Sequence, residues 1–528
     1  MITVGVEAES GAVRAGGVVH EHRANRWWIL VLLCFSLLLI AVDATVLHIA
    51  VPALTAALEP SSVELLWIID IYSLVVAPLL VTFGTLGDRY GRRRFVLAGY
   101  VVFGLASLAS AFAWSPQALI VSRALLGVGG AMIMPATLSI IRQVFTDRRE
   151  RAIALGVWSA VAAAGAAVGP LVGGVLVEHL WWGAVFLINV PLLIVALPLA
   201  VRLLPPSERR SGHPWDALSA VLSTLGILSV AFGLKEAGYG HTIGRGPSAV
   251  VFVIGVLLLI WFVRRQRRLA FPLLDIGLFA QRGFSTGVAC VLFAIFALVG
   301  LELMLAQYLQ LVLGLTPLAA AVRMLPLMVA AIAGGLAAAH VLQRIGLRAT
   351  TSGGLALTAL SLVPVLTWGV EQHPVMLTLC FVGIGFGVEV ALLAASDTIM
   401  ASAPESRAGG AAAIEETAYE LGAGLGIAVL GTITAIVYAP SLATVPGVPE
   451  PLMAEARESL ASAAHVAAET GSAAGPELLG AARVAFVTAL HSTVVVSVVL
   501  LCMTALAVAV LIPRPAPSAP EDDERLSA

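Results

Sequence analysis

Charge is what this sequence has least of. Of its 528 residues 59% are hydrophobic and only 12% charged, against roughly a quarter charged in a soluble domain. That excludes a soluble fold of this length and indicates an all-α polytopic membrane protein. Lysine is nearly missing: Lys235 is the only one among 30 basic residues, a bias that reads as GC-rich coding and carries no mechanism. Cysteine is scarce as well. Cys34, Cys290, Cys380 and Cys502 each sit alone in an apolar run, without the CxxC or Cys/His spacing that a disulfide or metal site needs, so no metal is expected. The first 26 residues hold no apolar stretch, which argues against a cleavable signal peptide. The net charge of −2 is spread in short clusters between apolar runs and gives no footprint for nucleic acid.

What the chain does have is apolar runs of about 20 residues, each long enough to span a bilayer as a helix; fourteen can be counted. Arginine falls on alternate connections. G-D-R-Y-G-R-R-R joins helices 2 and 3, R-Q-V-F-T-D-R-R-E-R joins 4 and 5, and R-R-Q-R-R joins 8 and 9, while connections such as T-A-A-L-E-P-S-S-V-E have almost none. By the positive-inside rule both termini are cytoplasmic. A weak repeat supports two halves: D-R-Y-G-R-R (Asp88 to Arg93) is echoed by Q-R-I-G-L-R (Gln343 to Arg348), and the glycine-rich stretch from Gly165 to Gly174 by that from Gly422 to Gly431. Helices 1 to 6 then match 9 to 14, with 7 and 8 inserted, an arrangement of secondary transporters with the site between the halves. The expected division is a cytoplasmic tail over 1–26, a six-helix bundle over 27–204, two inserted linker helices in 205–283, a second six-helix bundle over 284–512 and a cytoplasmic tail over 513–528. An outer loop, 440–483, reads equally as a lid of short amphipathic helices or as a solvated spacer.

Several segments carry a resemblance. G-T-L-G-D-R-Y-G-R-R-R (Gly84 to Arg94) resembles the signature loop of the major facilitator superfamily, R-A-L-L-G-V-G-G-A (Arg123 to Ala131) its helix 4 motif and G-P-L-V-G-G (Gly169 to Gly174) its helix 5 antiporter motif. With V-D-A-T-V-L-H-I-A-V-P, W-I-I-D-I-Y-S-L and A-A-A-I-E-E-T-A-Y-E-L-G, the chain is similar to the fourteen-helix drug:proton antiporters, and among them to exporters of quaternary-ammonium antiseptics. The resemblance implies a major facilitator fold and proton-driven export of lipophilic, mainly cationic compounds. It implies a monomer in the bacterial plasma membrane, needing no cofactor beyond the proton gradient. The alternative within the same fold is an exporter dedicated to one endogenous antibiotic or other metabolite. Exporters of this type that handle divalent cations have an acid in helix 10. This chain has none there and carries Arg323 near the helix's outer end, which counts against dications. Nothing supplies a nucleophile with its base or a phosphate loop, so the chain does not read as an enzyme.

An ionised carboxylate at the centre of a membrane helix costs roughly 2.5–3.5 kcal/mol on insertion scales, so buried acids are functional candidates. Asp43 in helix 1 and Asp70 in helix 2 fall at similar depth, and Asp70 follows Trp67 by three positions, placing a ring and a carboxylate on one face, where a cation would meet both. Arg123 enters helix 4 at comparable depth, positioned to balance either acid. In helix 13, Glu416 and Glu420 are four apart and share a face, whereas Glu415 points about 100° away with Tyr419. Two acids on one cavity repel when both are ionised, so one holds a proton that a cationic drug would replace. Glu302 and Glu389 lie in membrane spans and extend the acidic cavity, while His48 reads as a core residue. Gly165, Gly169, Pro170, Gly173 and Gly174 strip one face of helix 5 for close packing. Gly84, Asp88, Arg89, Gly91, Arg92 and Arg93 read as a conformational latch at the cytoplasmic surface.

Overall fold

The computed structural model describes residues 6–206, 216–239, 245–270, 272–371, 373–404, 408–470 and 474–512. The tail expected at 513–528 lies outside them, as do 207–215, 240–244 and 271 of the expected linker stretch. Among the described residues every regular element is helical.

The first half contains α1 (Val6–Leu58), α2 (Ser62–Tyr90), α3 (Arg92–Ala111), α4 (Pro116–Val144), α5 (Arg148–His179) and α6 (Ala184–Leu203). The inserted pair is α7 (Ala217–Tyr239) and α8 (Arg245–Gln266). The second half contains α9 (Arg282–Gln307, prolonged by a π turn over Tyr308–Val312), α10 (317–345), α11 (347–362), α12 (Pro374–Ser402), α13 (Ala408–Ser441) and α14 (Ala474–Leu511). Thirteen helical stretches are long and apolar enough to cross a membrane, one of them the 51-residue Pro317–Thr367. At 1.5 Å per residue that stretch is over twice the thickness of a hydrocarbon core. It is broken at Gly346, whose φ of 80° and ψ of 164° are non-helical, so it makes two crossings, which gives fourteen among the described residues. The membrane segment of α1 is Arg26–Leu58, and helix continues upstream to Val6 through much of the stretch read as a tail.

Local chemistry sets the helix starts. Ser61 caps α2 in a reciprocal box with Glu64, Ser115 caps α4 with Pro116 next in line, and Asp147 accepts from the Glu150 amide at the head of α5. Each side chain satisfies an amide that the first turn leaves unpaired. Between α2 and α3 the chain reverses at one residue, Gly91, with φ 110°, a conformation that side chains with a Cβ rarely adopt. Gly346 plays the same part between α10 and α11, so the echoed motifs make the same turn at the same glycine.

The glycine stripe of α5 seats it on α1. A Cβ on Gly165 would lie 2.8 Å from Ala41, one on Gly169 would overlap the Thr45 hydroxyl, and one on Gly173 would sit 2.8 Å from the Val46 carbonyl. Gly174 does the same service toward α10, within 3.0 Å of the Leu318 backbone. Further contacts tie the halves together: Gln310 donates to the Ile49 carbonyl at 3.1 Å, and Gly424 and Gly431 of α13 receive Leu74 and Leu66 of α2. All of these lie toward the end covered by two short helices, Glu450–Ala456 and Leu460–Thr470. Those helices are seated. Met453, Leu460 and Val466 are buried, Tyr438 donates to the Ala456 carbonyl at 3.1 Å and Ser62 donates to that of Glu458. The 440–483 connection is therefore a packed cover and not a solvated spacer. Toward the Arg-rich end Gly156 and Gly410 are exposed, and added Cβ atoms there would meet nothing within 4 Å.

Exposed apolar residues form the outer belt: Val250, Val253, Leu257 and Trp261 on α8, and Val484, Met503, Leu506 and Val510 on α14. In a chain of fourteen crossings this is the lipid-facing surface.

Candidate substrate and proton site

Asp43 lies close to the midpoint of the 33-residue span Arg26–Leu58, because α1 runs further than its apolar pattern suggested. Both of its oxygens are used. Arg123 Nη1 donates to Oδ2 at 2.8 Å and Asn189 Nδ2 to Oδ1 at 2.9 Å. Asn189 also donates to Ser107 at 3.1 Å, linking α1, α4, α6 and α3. Arg123 spends its remaining donors on the carbonyls of Ile68 and Ile69 and stacks over the rings of Tyr72 and Phe186 at 4.9 and 5.7 Å. Of the two acids that Arg123 could have balanced, the structure pairs it with Asp43. The planar guanidinium suits such a site because its fork of donors reaches several acceptors at once. Asn189, at the break where α6 restarts, is a participant that the apolar sequence around it did not flag.

Asp70 has a different partner. Lys235 Nζ, from the inserted α7, donates to Oδ1 at 2.7 Å, and both side chains are fully buried. The same ammonium lies 3.4 Å from the centroid of the Trp67 ring. The face of α2 that pairs a ring with a carboxylate is thus occupied by a cation supplied by the chain. Asp70 Oδ2 is buried without a hydrogen-bond partner. Phe232, one turn before Lys235, packs its ring 6.3 Å from that of Trp67. Here α7 packs against α2 and α13 together, so the insertion reaches the seam between the halves. The one lysine of the chain, which composition alone explained as codon bias, is the missed residue; its charge, beside Glu236 at the end of an otherwise apolar helix, was the available signal.

The helix 13 acids separate by direction. Glu420 is buried and hydrogen-bonded to Ser73 of α2, across the seam. Glu415 bonds Ser396 of α12 within its own half, while Glu416 lies within electrostatic reach of both other acids. Tyr419 remains 37% exposed in the middle of the helix, with Glu302, Glu389, Glu416 and Glu420 all in electrostatic range of its phenol. Acids from α9, α12 and α13 therefore act electrostatically on one phenol. Glu302 also reaches over the seam to His48 Nδ1 at 4.0 Å, and that nitrogen has no hydrogen-bond partner. Among the described residues no group of three His, Cys, Asp or Glu is arranged to hold a metal.

The signature loop sits at the Arg-rich end. Arg92 donates to the Ser139 carbonyl at 2.9 Å, Arg93 to that of Val201, and Arg89 lies over the Tyr90 ring at 5.4 Å. Gly84 faces Pro135 of α4. The side chain of Asp88 is outside the described residues. The loop thus clamps α2 and α3 to α4 and α6 within one half.

A profile described as Major Facilitator Superfamily matches residues 33–427. The chain belongs to the major facilitator superfamily. Among members of this superfamily it is 42% identical over 465 residues to the methyl viologen resistance protein SmvA of Salmonella typhimurium, covering 88% of this chain and 93% of that one. It is 41% identical over 488 residues to the multidrug efflux pump LfrA of Mycolicibacterium smegmatis, covering 92% and 96%. The puromycin resistance protein pur8 of Streptomyces alboniger is 36% identical over 418 residues, with 78% and 82% covered. A solved bacterial homolog of the human lysosomal transporter Spinster, in an inward-facing and unoccupied conformation, shares the facilitator fold at 17% identity with a TM-score of 0.65, covering 93% of this chain and 99% of its own.

Proposed function

We propose that this facilitator is a proton-coupled multidrug efflux antiporter that exports lipophilic, mainly cationic compounds by alternating access. The observation that carries the reading is the set of buried acids along the seam. Asp70, Glu302 and Glu420 are buried and meet it from both halves, and the half-buried Glu389 and Glu416 act electrostatically on the same Tyr419 phenol as Glu302 and Glu420. Such acids are costly in a membrane unless they bind cations or exchange protons. The rings of Trp67 and Tyr419 add surfaces for flat, lipophilic cations. In this reading Asp43 and Arg123 hold the first half in shape for coupling, and the acids of α13 exchange proton for drug. The protein works as a monomer in the bacterial plasma membrane, with both termini cytoplasmic and the proton gradient as its only energy source. Its halves, 27–204 and 284–512, rock about the seam, and the loop between α2 and α3 biases that movement. No step of this cycle is catalysis of a covalent reaction.

Names of relatives support the polyspecific reading over the dedicated one, because the multidrug pump LfrA is 41% identical and the puromycin resistance protein 36%. Methyl viologen is a dication, so the resistance protein at 42% identity also weighs against the expectation drawn from helix 10. The acids of α9, α12 and α13 supply a second negative charge without it.

Expression in a pump-deficient bacterium tests the proposal. Cells should retain less ethidium than controls, and a protonophore should abolish the difference. Ethidium efflux that ignored the protonophore would reject proton coupling.

A further inference from the structure

The carboxylate and ring that suit a foreign cation already hold one. Lys235 Nζ sits 2.7 Å from Asp70 Oδ1 and 3.4 Å from the Trp67 ring centroid, which are the two contacts a monovalent lipophilic cation would make there. An ammonium buried at 0% exposure is retained only where its partner compensates for lost hydration. Asp70 holds it through one oxygen only, since Oδ2 has no hydrogen-bond partner among the described residues. Lysine also suits an exchangeable contact better than arginine: it is a point charge on a flexible stem, without the multiple donors that fix Arg123. Finally, α7 packs on α2 of one half and α13 of the other, so whatever moves Lys235 is felt on both sides of the seam.

We propose that Lys235 is a tethered stand-in for the transported cation. It occupies the Asp70 and Trp67 site while that site is empty, and an incoming lipophilic monocation takes its place, expelling the ammonium and shifting α7 relative to the seam. The inserted helices are then a sensor of loading as well as a spacer. Lys235 also sets selectivity. A ligand without positive charge cannot replace it on Asp70, so neutral compounds gain nothing at this position. The inference rests on the cation-site reading given above.

Because Lys235 is the only lysine, a lysine-directed reagent reports on it alone, the N-terminal amine being resolved by peptide mass spectrometry. Purified full-length protein, expressed without added lysines, is treated with formaldehyde and a mild reductant, with and without saturating tetraphenylphosphonium. Ordinary burial predicts that a ligand protects the lysine or leaves it unchanged. Displacement predicts the opposite sign, with methylation of Lys235 accelerated about tenfold, the factor expected when one desolvated cation–π and ion-pair contact is released. The Lys235→Met variant should bind tetraphenylphosphonium about tenfold tighter by equilibrium dialysis, since its own competing cation is gone. Asp70→Asn combined with Lys235→Met should lose that gain. Unchanged or slowed methylation in parent protein that demonstrably binds the cation would overturn the displacement while leaving export intact, and so would Lys235→Met binding no tighter than the parent. A parent that binds no tetraphenylphosphonium overturns both readings.

Discussion

Two buried ion pairs of the first half stand close together and are built differently. Asp43 has both oxygens hydrogen-bonded, and Arg123 reaches three side chains and two carbonyls, all within the half. Asp70 has one oxygen bonded to one ammonium that arrives from the inserted α7, and its other oxygen has no partner. The first arrangement over-determines its geometry, and the second leaves a valence open. A charge pair tied by several bonds at once rigidifies its surroundings, whereas a single charge-assisted contact can be traded for another of the same kind. The difference separates a charge that shapes the protein from one positioned to exchange partners, although both acids looked alike in sequence.

The largest expected effect breaks the rigid pair. Arg123→Met should destabilise the detergent-solubilised protein by about 3–5 kcal/mol, since it strands Asp43 in the interior, and Arg123→Lys should recover only part of this in thermal unfolding. Lys235→Met likewise strands a buried acid and should cost about as much, but adding Asp70→Asn should restore most of that loss, because Asp70 is held by one ammonium and no second partner, whereas Asp43→Asn should restore little to Arg123→Met. A loss that Asp70→Asn left unchanged would erase the distinction. Gly169→Ala tests the frame that carries Asp43: the new methyl meets Thr45, and overpacking of this kind costs roughly 1–3 kcal/mol. Thr45→Ala in the same chain should restore part of the stability, and no restoration would mean that α1 and α5 are not held by this contact.

The smallest effect lies at the Arg-rich end, where Asp216 accepts from Arg265 at 2.9 and 3.1 Å. Burial acts to raise its carboxyl, but hydrogen bonds from Arg265 and Ser219 outweigh burial and hold it below the ordinary 3.8. The pair's stabilisation is therefore complete above that ordinary value and is lost as the pH falls through the lower folded one. Being partly solvated, it should be worth less than about 1 kcal/mol, so Asp216→Asn should leave the unfolding temperature at pH 7 nearly unchanged. A large loss there would show that the inserted pair depends on this contact.

Much of this architecture was legible because membrane helices announce themselves by length and apolarity. Even the crossing that runs on as one 51-residue stretch was divided correctly at Gly346, since Arg344 and Arg348 mark a connection. Depth counting along α1, α2 and α4 brought Asp43, Asp70 and Arg123 to one level. Partner choice was not legible. Lys235 is 165 positions from Asp70, and only the placement of α7 in the seam makes them neighbours. The electrostatic reach of Glu302, Glu389 and Glu416 to Tyr419 likewise depends on the rotation of three helices about their axes, which periodicity leaves loose when every face is apolar. Glu420 was assigned to a cavity face from its spacing, but its bond to Ser73 required knowing that α13 packs on α2.

Transport by the reconstituted protein is the most direct test of the central claim, that drug and proton exchange on the seam acids. Proteoliposomes with an acidic lumen should accumulate tetraphenylphosphonium against its gradient, nigericin should stop the uptake, and Glu416→Gln and Asp70→Asn should each reduce it at least tenfold while the protein stays folded. Uptake that continued undiminished in both variants, or that survived nigericin, would contradict the account.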